Sequence, residues 1–136
     1  MLTQNKELFL IGQVTNLSGI PIRTIRYYES LGLVASSGRT EGGFRQFSID
    51  VLTRLAFIKR AQSLGLSLEE IGDILQVYDQ GQPPCGDIKE KLAEKLSQID
   101  RQIAQLLTLR SEIGELLAEW SEQPGKQEDT ICPIIQ

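Results

Sequence analysis

Ser18-Gly19-Ile20-Pro21-Ile22-Arg23-Thr24-Ile25-Arg26-Tyr27-Tyr28-Glu29 is the stretch on which the reading of this 136-residue chain turns. Gly19 ends a short helix over Gln13 to Ser18, because glycine readily takes the left-handed backbone of a helix C-terminus. Val14 and Leu17 of that helix are expected to face inward. Ile20 and Pro21 open a second helix, where the missing N–H of proline would have had no partner. Ile22, Ile25 and Tyr28 then return at helical spacing, and Leu31-Gly32-Leu33 ends the element. Two short helices hinged at one glycine have the spacing of a helix–turn–helix, with Arg23, Thr24, Arg26 and Tyr27 on the second. Arginine forks onto guanine edges or phosphate, and Thr and Tyr hydroxyls bond phosphate.

On the upstream side Leu8 to Ile11 reads as one strand. On the downstream side Arg39-Thr40 and Phe44-Arg45-Gln46-Phe47 flank Glu41-Gly42-Gly43, the pattern of a β-hairpin. That hairpin places Arg39 and Arg45 as a basic wing beside the helix–turn–helix. Ser48 is expected to N-cap a helix reaching Ser63, with Asp50 favourable to its dipole. Val51, Leu52, Leu55, Phe57, Ile58 and Ala61 supply its apolar positions, and Lys59 and Arg60 offer a second phosphate-contacting corner. Ser67-Leu68-Glu69-Glu70 is a capping box that starts a helix to about Tyr78, burying Leu68, Ile71, Ile74 and Leu75.

Net charge is −4, which taken whole argues against a polyanionic partner. The distribution reverses that inference. From Phe9 to Leu66 seven basic residues face three acidic ones, whereas from Ser67 onward six basic face fourteen acidic. Only the front half is suited to meet nucleic acid. The back half is a different object. A helix predicted from Asp87 to Trp120 carries Leu92, Leu96, Ile99, Ile103, Leu106, Leu109, Ile113, Leu116 and Trp120 at alternating three- and four-residue steps, a heptad seam with one discontinuity. A long helix with one narrow apolar stripe is not stable alone and needs a partner.

The chain has no histidine and two cysteines, Cys85 and Cys132. Imidazole ligands and any Ser-His-Asp or Cys-His catalytic site are thereby excluded, and with no phosphate-cradling loop in view an enzyme is not expected. No apolar run reaches the length of a membrane span, and the first residues lack the layout of a signal peptide, so a cytoplasmic protein without membrane contact is expected. In that compartment two cysteines read as free thiols, metal ligands or redox groups.

Ile11-Gly12-Gln13-Val14, Arg23-Thr24-Ile25-Arg26-Tyr27-Tyr28-Glu29, Leu31-Gly32-Leu33, Arg39-Thr40-Glu41-Gly42-Gly43-Phe44-Arg45 and Leu64-Gly65-Leu66-Ser67-Leu68-Glu69-Glu70-Ile71 together resemble the MerR family of transcriptional regulators, and the likeness extends along essentially the whole chain. The resemblance implies a mainly α fold: a winged helix–turn–helix domain with linking helices over 1–80, a linker over 81–86, a dimerisation helix over 87–121 that forms an antiparallel coiled coil in a homodimer, and an effector loop and tail over 122–136. It also implies that the dimer binds a nearly palindromic promoter operator in double-stranded DNA. On effector binding it bends and untwists an overlong spacer so that RNA polymerase engages both promoter elements. Carried over by motif, Arg23, Arg26 and Tyr27 come from the recognition helix and Arg45 from the wing.

The cysteines extend the resemblance to the effector. Cys85 sits just before the long helix, where the positive end of the helix dipole lowers a thiol pKa and readies it as a ligand. Cysteine there resembles the sensors of divalent mercury, lead, cadmium and zinc, whereas the copper, silver and gold sensors usually carry serine; copper is therefore less expected as effector. Cys132-Pro133-Ile134-Ile135 resembles the last ligand segment of mercury and lead sensors. Those sensors usually carry a further cysteine about nine residues earlier, where this chain has Gln123. A helix of some 34 residues, roughly 50 Å long, keeps Cys85 and Cys132 of one chain apart. The implied antiparallel pairing would instead bring Cys85 of one subunit to Cys132 of the other. Two thiolates suit a linear soft ion; tetrahedral zinc would need more donors, with Glu122, Glu128 and Asp129 available. Two alternatives remain: a regulator responding to thiol oxidation, and, in a different class, a structural coiled-coil adaptor without specific DNA binding.

Overall fold

The computed structural model describes residues 7–120 and 131–135. Its elements run β1 (Leu8–Leu10), α1 (Ile11–Ser18), α2 (Ile22–Ser30), β2 (Gly38–Arg39), β3 (Arg45–Ser48), α3 (Ile49–Ser63), α4 (Leu68–Asp79) and α5 (Cys85–Ala118). The chain divides into a head, residues 1–93, and a second unit, residues 94–136.

In the head, β3 is the middle strand of a three-stranded antiparallel sheet ordered β1-β3-β2. Phe9 pairs with Phe47, and Arg39 with Arg45. Phe47, Ile25, Leu55, Ile58 and Ile71 are fully buried, so β3, α2, α3 and α4 share one core. Burial of each such side chain is worth about 1.5–3 kcal/mol relative to leaving it in water. The sharp turns between elements fall on glycines with positive φ: Gly19 at +74° closes α1 and Gly43 at +85° turns the hairpin.

Several expectations are met and several are corrected. The Ser67 capping box is present, with Ser67 Oγ accepting from the Glu70 N–H and Glu70 Oε1 accepting from the Ser67 N–H. Ser48 occupies the N-cap of α3, but its hydroxyl makes no capping bond; the residue is also the last of β3 and pairs with Leu8. Helix α1 begins at Ile11, two residues earlier than expected, directly after a three-residue strand. Its inner face runs along Ile11, Val14 and Ser18, and Leu17, on the other side of Val14, stands 61% exposed instead of inward. Helix α2 begins at Ile22, with Pro21 in the cap position. Helix α5 likewise starts at Cys85, ahead of Asp87, because Pro84 offers its carbonyl to the Ile88 N–H and so serves as the entry to the first turn. The connection between α4 and α5 is therefore the five residues 80–84, shorter than the expected linker.

Helix α5, which runs from the end of the head into the second unit in sequence, has no fully buried side chain. Leu96, Ile99, Ile103, Leu106, Leu109, Ile113 and Leu116 are all exposed, Leu106 to 64%. Trp120 lies two residues beyond the helix end. Leu92, which the spacing puts at the head of this seam, is half-buried against the core of the head, together with Ile88 one turn earlier. The tail forms an antiparallel bridge between Cys132 and Ile135. Among the described residues no helix is long and apolar enough to cross a membrane.

Candidate nucleic-acid interface and thiol positions

The exposed face of α2 carries Arg23, Arg26 and Tyr27, with Thr24 half-buried beside them. The inner face holds that helix in place: Ile25 is fully buried, and the buried Tyr28 donates its hydroxyl to Gln62 Oε1 on α3 at 2.7 Å. Burial raises the Tyr28 phenol above its ordinary range, so it remains a neutral donor.

The hairpin is built by its own backbone. The Thr40 N–H donates to the Phe44 carbonyl at 2.8 Å, the Gly43 N–H to the Thr40 carbonyl at 2.9 Å, and Thr40 Oγ1 accepts from the Phe44 N–H. Arg39 donates to the Gly43 carbonyl at 2.9 Å, bracing the turn from inside the wing. Arg45 Nε stands 3.3 Å from Glu29 Oε2, tying the hairpin to α2. A groove of about 720 Å³ brings Arg26, Arg39 and Arg45 together with Gly12, Gln13 and Asn16 of α1 and with Phe44. Three cations from α2, β2 and β3 thus line one concavity that also receives the start of α1.

Arg23 lies outside that groove on the exposed part of α2, and Lys59 and Arg60 stand exposed in the last turn of α3, Arg60 within 3.3 Å of Ser63 Oγ. Arg54, counted with the basic front half, does not point to a partner at all; it is turned inward, its side chain 17% exposed, and bonds Leu33 and Asp79. The groove also contains residues that the sequence reading passed over. Gln13 and Asn16 were readable as polar positions of a first helix, and Phe44 as an aromatic following Gly42-Gly43. The Glu29–Arg45 pair joins residues 16 apart and has no local pattern.

Cys85 is the first residue of α5 and exposed; Cys132 is half-buried in the tail; both are free thiols. Among the described residues no group of three or more Cys, Asp or Glu is placed to hold a metal. Thiolates are soft ligands of the kind that thiophilic ions take. Gln123 and the candidate carboxylates Glu122, Glu128 and Asp129 lie outside the described residues.

Comparison with known proteins agrees with this architecture. Residues 9–77 match the family model described as MerR HTH family regulatory protein, and residues 52–116 the one described as MerR, DNA binding. The chain belongs to the MerR family. This MerR-family chain is 38% identical over 129 residues to the mercuric resistance operon regulatory protein of Bacillus cereus, covering 94% of this chain and 95% of that one. It is 32% identical to the HTH-type transcriptional regulator CueR of Escherichia coli O157:H7, over 93% of this chain and 90% of the relative. Among solved structures, the transcription regulator PbrR691 from Ralstonia metallidurans CH34 in complex with lead(II) superposes with a TM-score of 0.76 at 27% identity, covering 93% and 95% of the two chains. The MerR-family chain is thus a DNA-binding transcription regulator of the heavy-metal branch, in a family of regulators rather than enzymes.

Proposed function

We propose that this chain acts as a cytoplasmic homodimer that sits on a promoter operator and distorts its spacer when a thiophilic metal ion binds. The observation that carries the reading is the groove in which Arg26 of the recognition helix meets Arg39 and Arg45 of the wing, in a chain related end to end to a mercuric resistance regulatory protein. Residues Arg23, Thr24, Arg26, Tyr27, Arg39, Arg45, Lys59 and Arg60 hold the duplex. The exposed stripe from Leu96 to Trp120 pairs antiparallel with its copy and sets the spacing of the two heads. Specificity then comes partly from the cost of deforming base pairs that no side chain touches. Cys85 of one subunit and Cys132 of the other supply the thiolates; a bound soft ion would cross-link the two. RNA polymerase is the partner that reads the altered spacing.

The test has two arms. Reduced protein is titrated with Hg(II), Pb(II), Cd(II), Zn(II) and Cu(I), following thiolate-to-metal absorbance, and a duplex selected from a random-sequence pool is titrated in a gel shift. Saturation at one soft ion per Cys85/Cys132 pair, lost in Cys85→Ser and Cys132→Ser while the shift persists, supports the reading. Normal metal responses in both serine variants overturn the effector assignment. The Arg23→Ala, Arg26→Ala double variant should lose about 1–3 kcal/mol for each arginine that reads a base. Absence of any salt-dependent specific shift in the wild type would leave only the adaptor.

A further inference from the structure

Arg54 is a cation inside the head of a DNA-binding protein that is not available to DNA. Its Nε donates to the Leu33 carbonyl at 2.8 Å, and its Nη1 and Nη2 reach Asp79 Oδ1 at 2.5 Å and Oδ2 at 3.2 Å. The planar guanidinium is the side chain able to make this pattern, one donor to a carbonyl and a fork to a carboxylate. The two partners stand at two informative places. Leu33 is the exit of the recognition helix: α2 ends at Ser30, Gly32 turns with φ of +79°, and the Leu33 N–H donates back to the Tyr28 carbonyl. Asp79 is the last residue of α4, followed by the five residues that lead to Cys85.

A second contact joins the same places. The position a Cβ would take on Gly72 of α4 lies 3.4 Å from Leu33 Cδ2, so the exit of α2 rests directly on α4. Beyond the connection, Ile88 and Leu92 pack against the core, so the first turns of α5 are seated on the same body. Lys91 of α5 also stands 3.9 Å from Asp73 of α4, and Asp79 is the α4 residue that the five-residue connection joins to the Cys85 end of α5. Rigid elements joined by discrete hydrogen bonds are the physical means by which two sites bias one another.

We propose that Arg54 is a positioning residue that couples the Cys85 end of α5 to the recognition helix through Asp79 and Leu33. The inference rests on the proposed DNA-binding dimer but not on the identity of the effector. Coupling between two sites is reciprocal in binding free energy, so an operator whose affinity responds to the Cys85 end must in turn shift the state of that end, which the reactivity of the Cys85 thiol reports.

The experiment measures the alkylation rate of Cys85 by iodoacetamide in the full-length protein, resolved from Cys132 by peptide mass spectrometry. It compares a saturating selected duplex with a random duplex. In the wild type the two rates should differ by about fivefold or more. In Arg54→Met and Asp79→Asn the ratio should fall to about one while both variants still bind the selected duplex; a merely structural loss would weaken binding and leave the ratio of the bound fraction unchanged. Asp79→Glu, which keeps a carboxylate, guards against misfolding and should retain the difference. A full ratio in both Arg54→Met and Asp79→Asn, or a ratio of one in a wild type that binds the duplex, overturns the proposal. A wild type that binds no duplex sinks the proposed function and the coupling with it. A wild type that shows the ratio but ignores every metal sinks only the effector assignment.

Discussion

The head and the distal part of α5 are made from the same kinds of residue and treat them in opposite ways. In the head Leu55, Ile58 and Ile71 are fully buried, because α3 and α4 of the same chain provide layers for each other. Along α5 from Leu96 onward the leucines and isoleucines lie open, although their spacing is as regular as any in the head. An apolar stripe is a demand for a second surface, and sequence periodicity states the demand without saying which chain meets it. Leu92 marks the boundary: it continues the seam in sequence yet is satisfied by the head.

The largest effect should follow from attacking the open stripe. Ile103→Asp with Leu106→Asp puts carboxylates in the seam and should convert a dimer to a monomer by sedimentation. Operator affinity should then fall by about a hundredfold or more, the usual advantage of two linked heads over one. The circular dichroism of the head should change little. The converse substitution, Leu55→Ala, leaves the stripe alone and opens a cavity in the core. It should cost about 2–5 kcal/mol in chemical denaturation of the head, whatever the association state. Ser67→Ala probes a smaller term, the capping box of α4, and should cost about 0.5–2 kcal/mol in the same denaturation. If Leu55→Ala abolished association while the double aspartate spared it, the division of labour between the two regions would be wrong.

The same contrast explains how much was legible beforehand. Features encoded within one turn or one hairpin were readable: the Ser67 capping box, the Gly42-Gly43 turn and the heptad spacing each depend on neighbours a few residues apart. The order of helices and the basic wing followed from them. Features made by residues distant in sequence were not. Arg54 counts as one more positive charge in the front half until Leu33, 21 positions away, and Asp79, 25 positions away, are seen around it. Glu29 occupies Arg45 in the same way. Leu17 was misplaced because Val14 and Leu17, three apart, fit one helical face by themselves, whereas the core meets the side of Val14 that carries Ile11 and Ser18. In the candidate interface the recognition-helix and wing arginines were legible, whereas the polar contribution of α1 and the place of Phe44 needed the fold.

The most direct test is the mass of the complex in solution. Sedimentation equilibrium of the full-length protein with a selected operator duplex should give two chains per duplex, and the free protein at micromolar concentration should already be two chains. One chain per duplex, or a free monomer at that concentration, would contradict the pairing of the α5 stripe on which the proposed regulation depends.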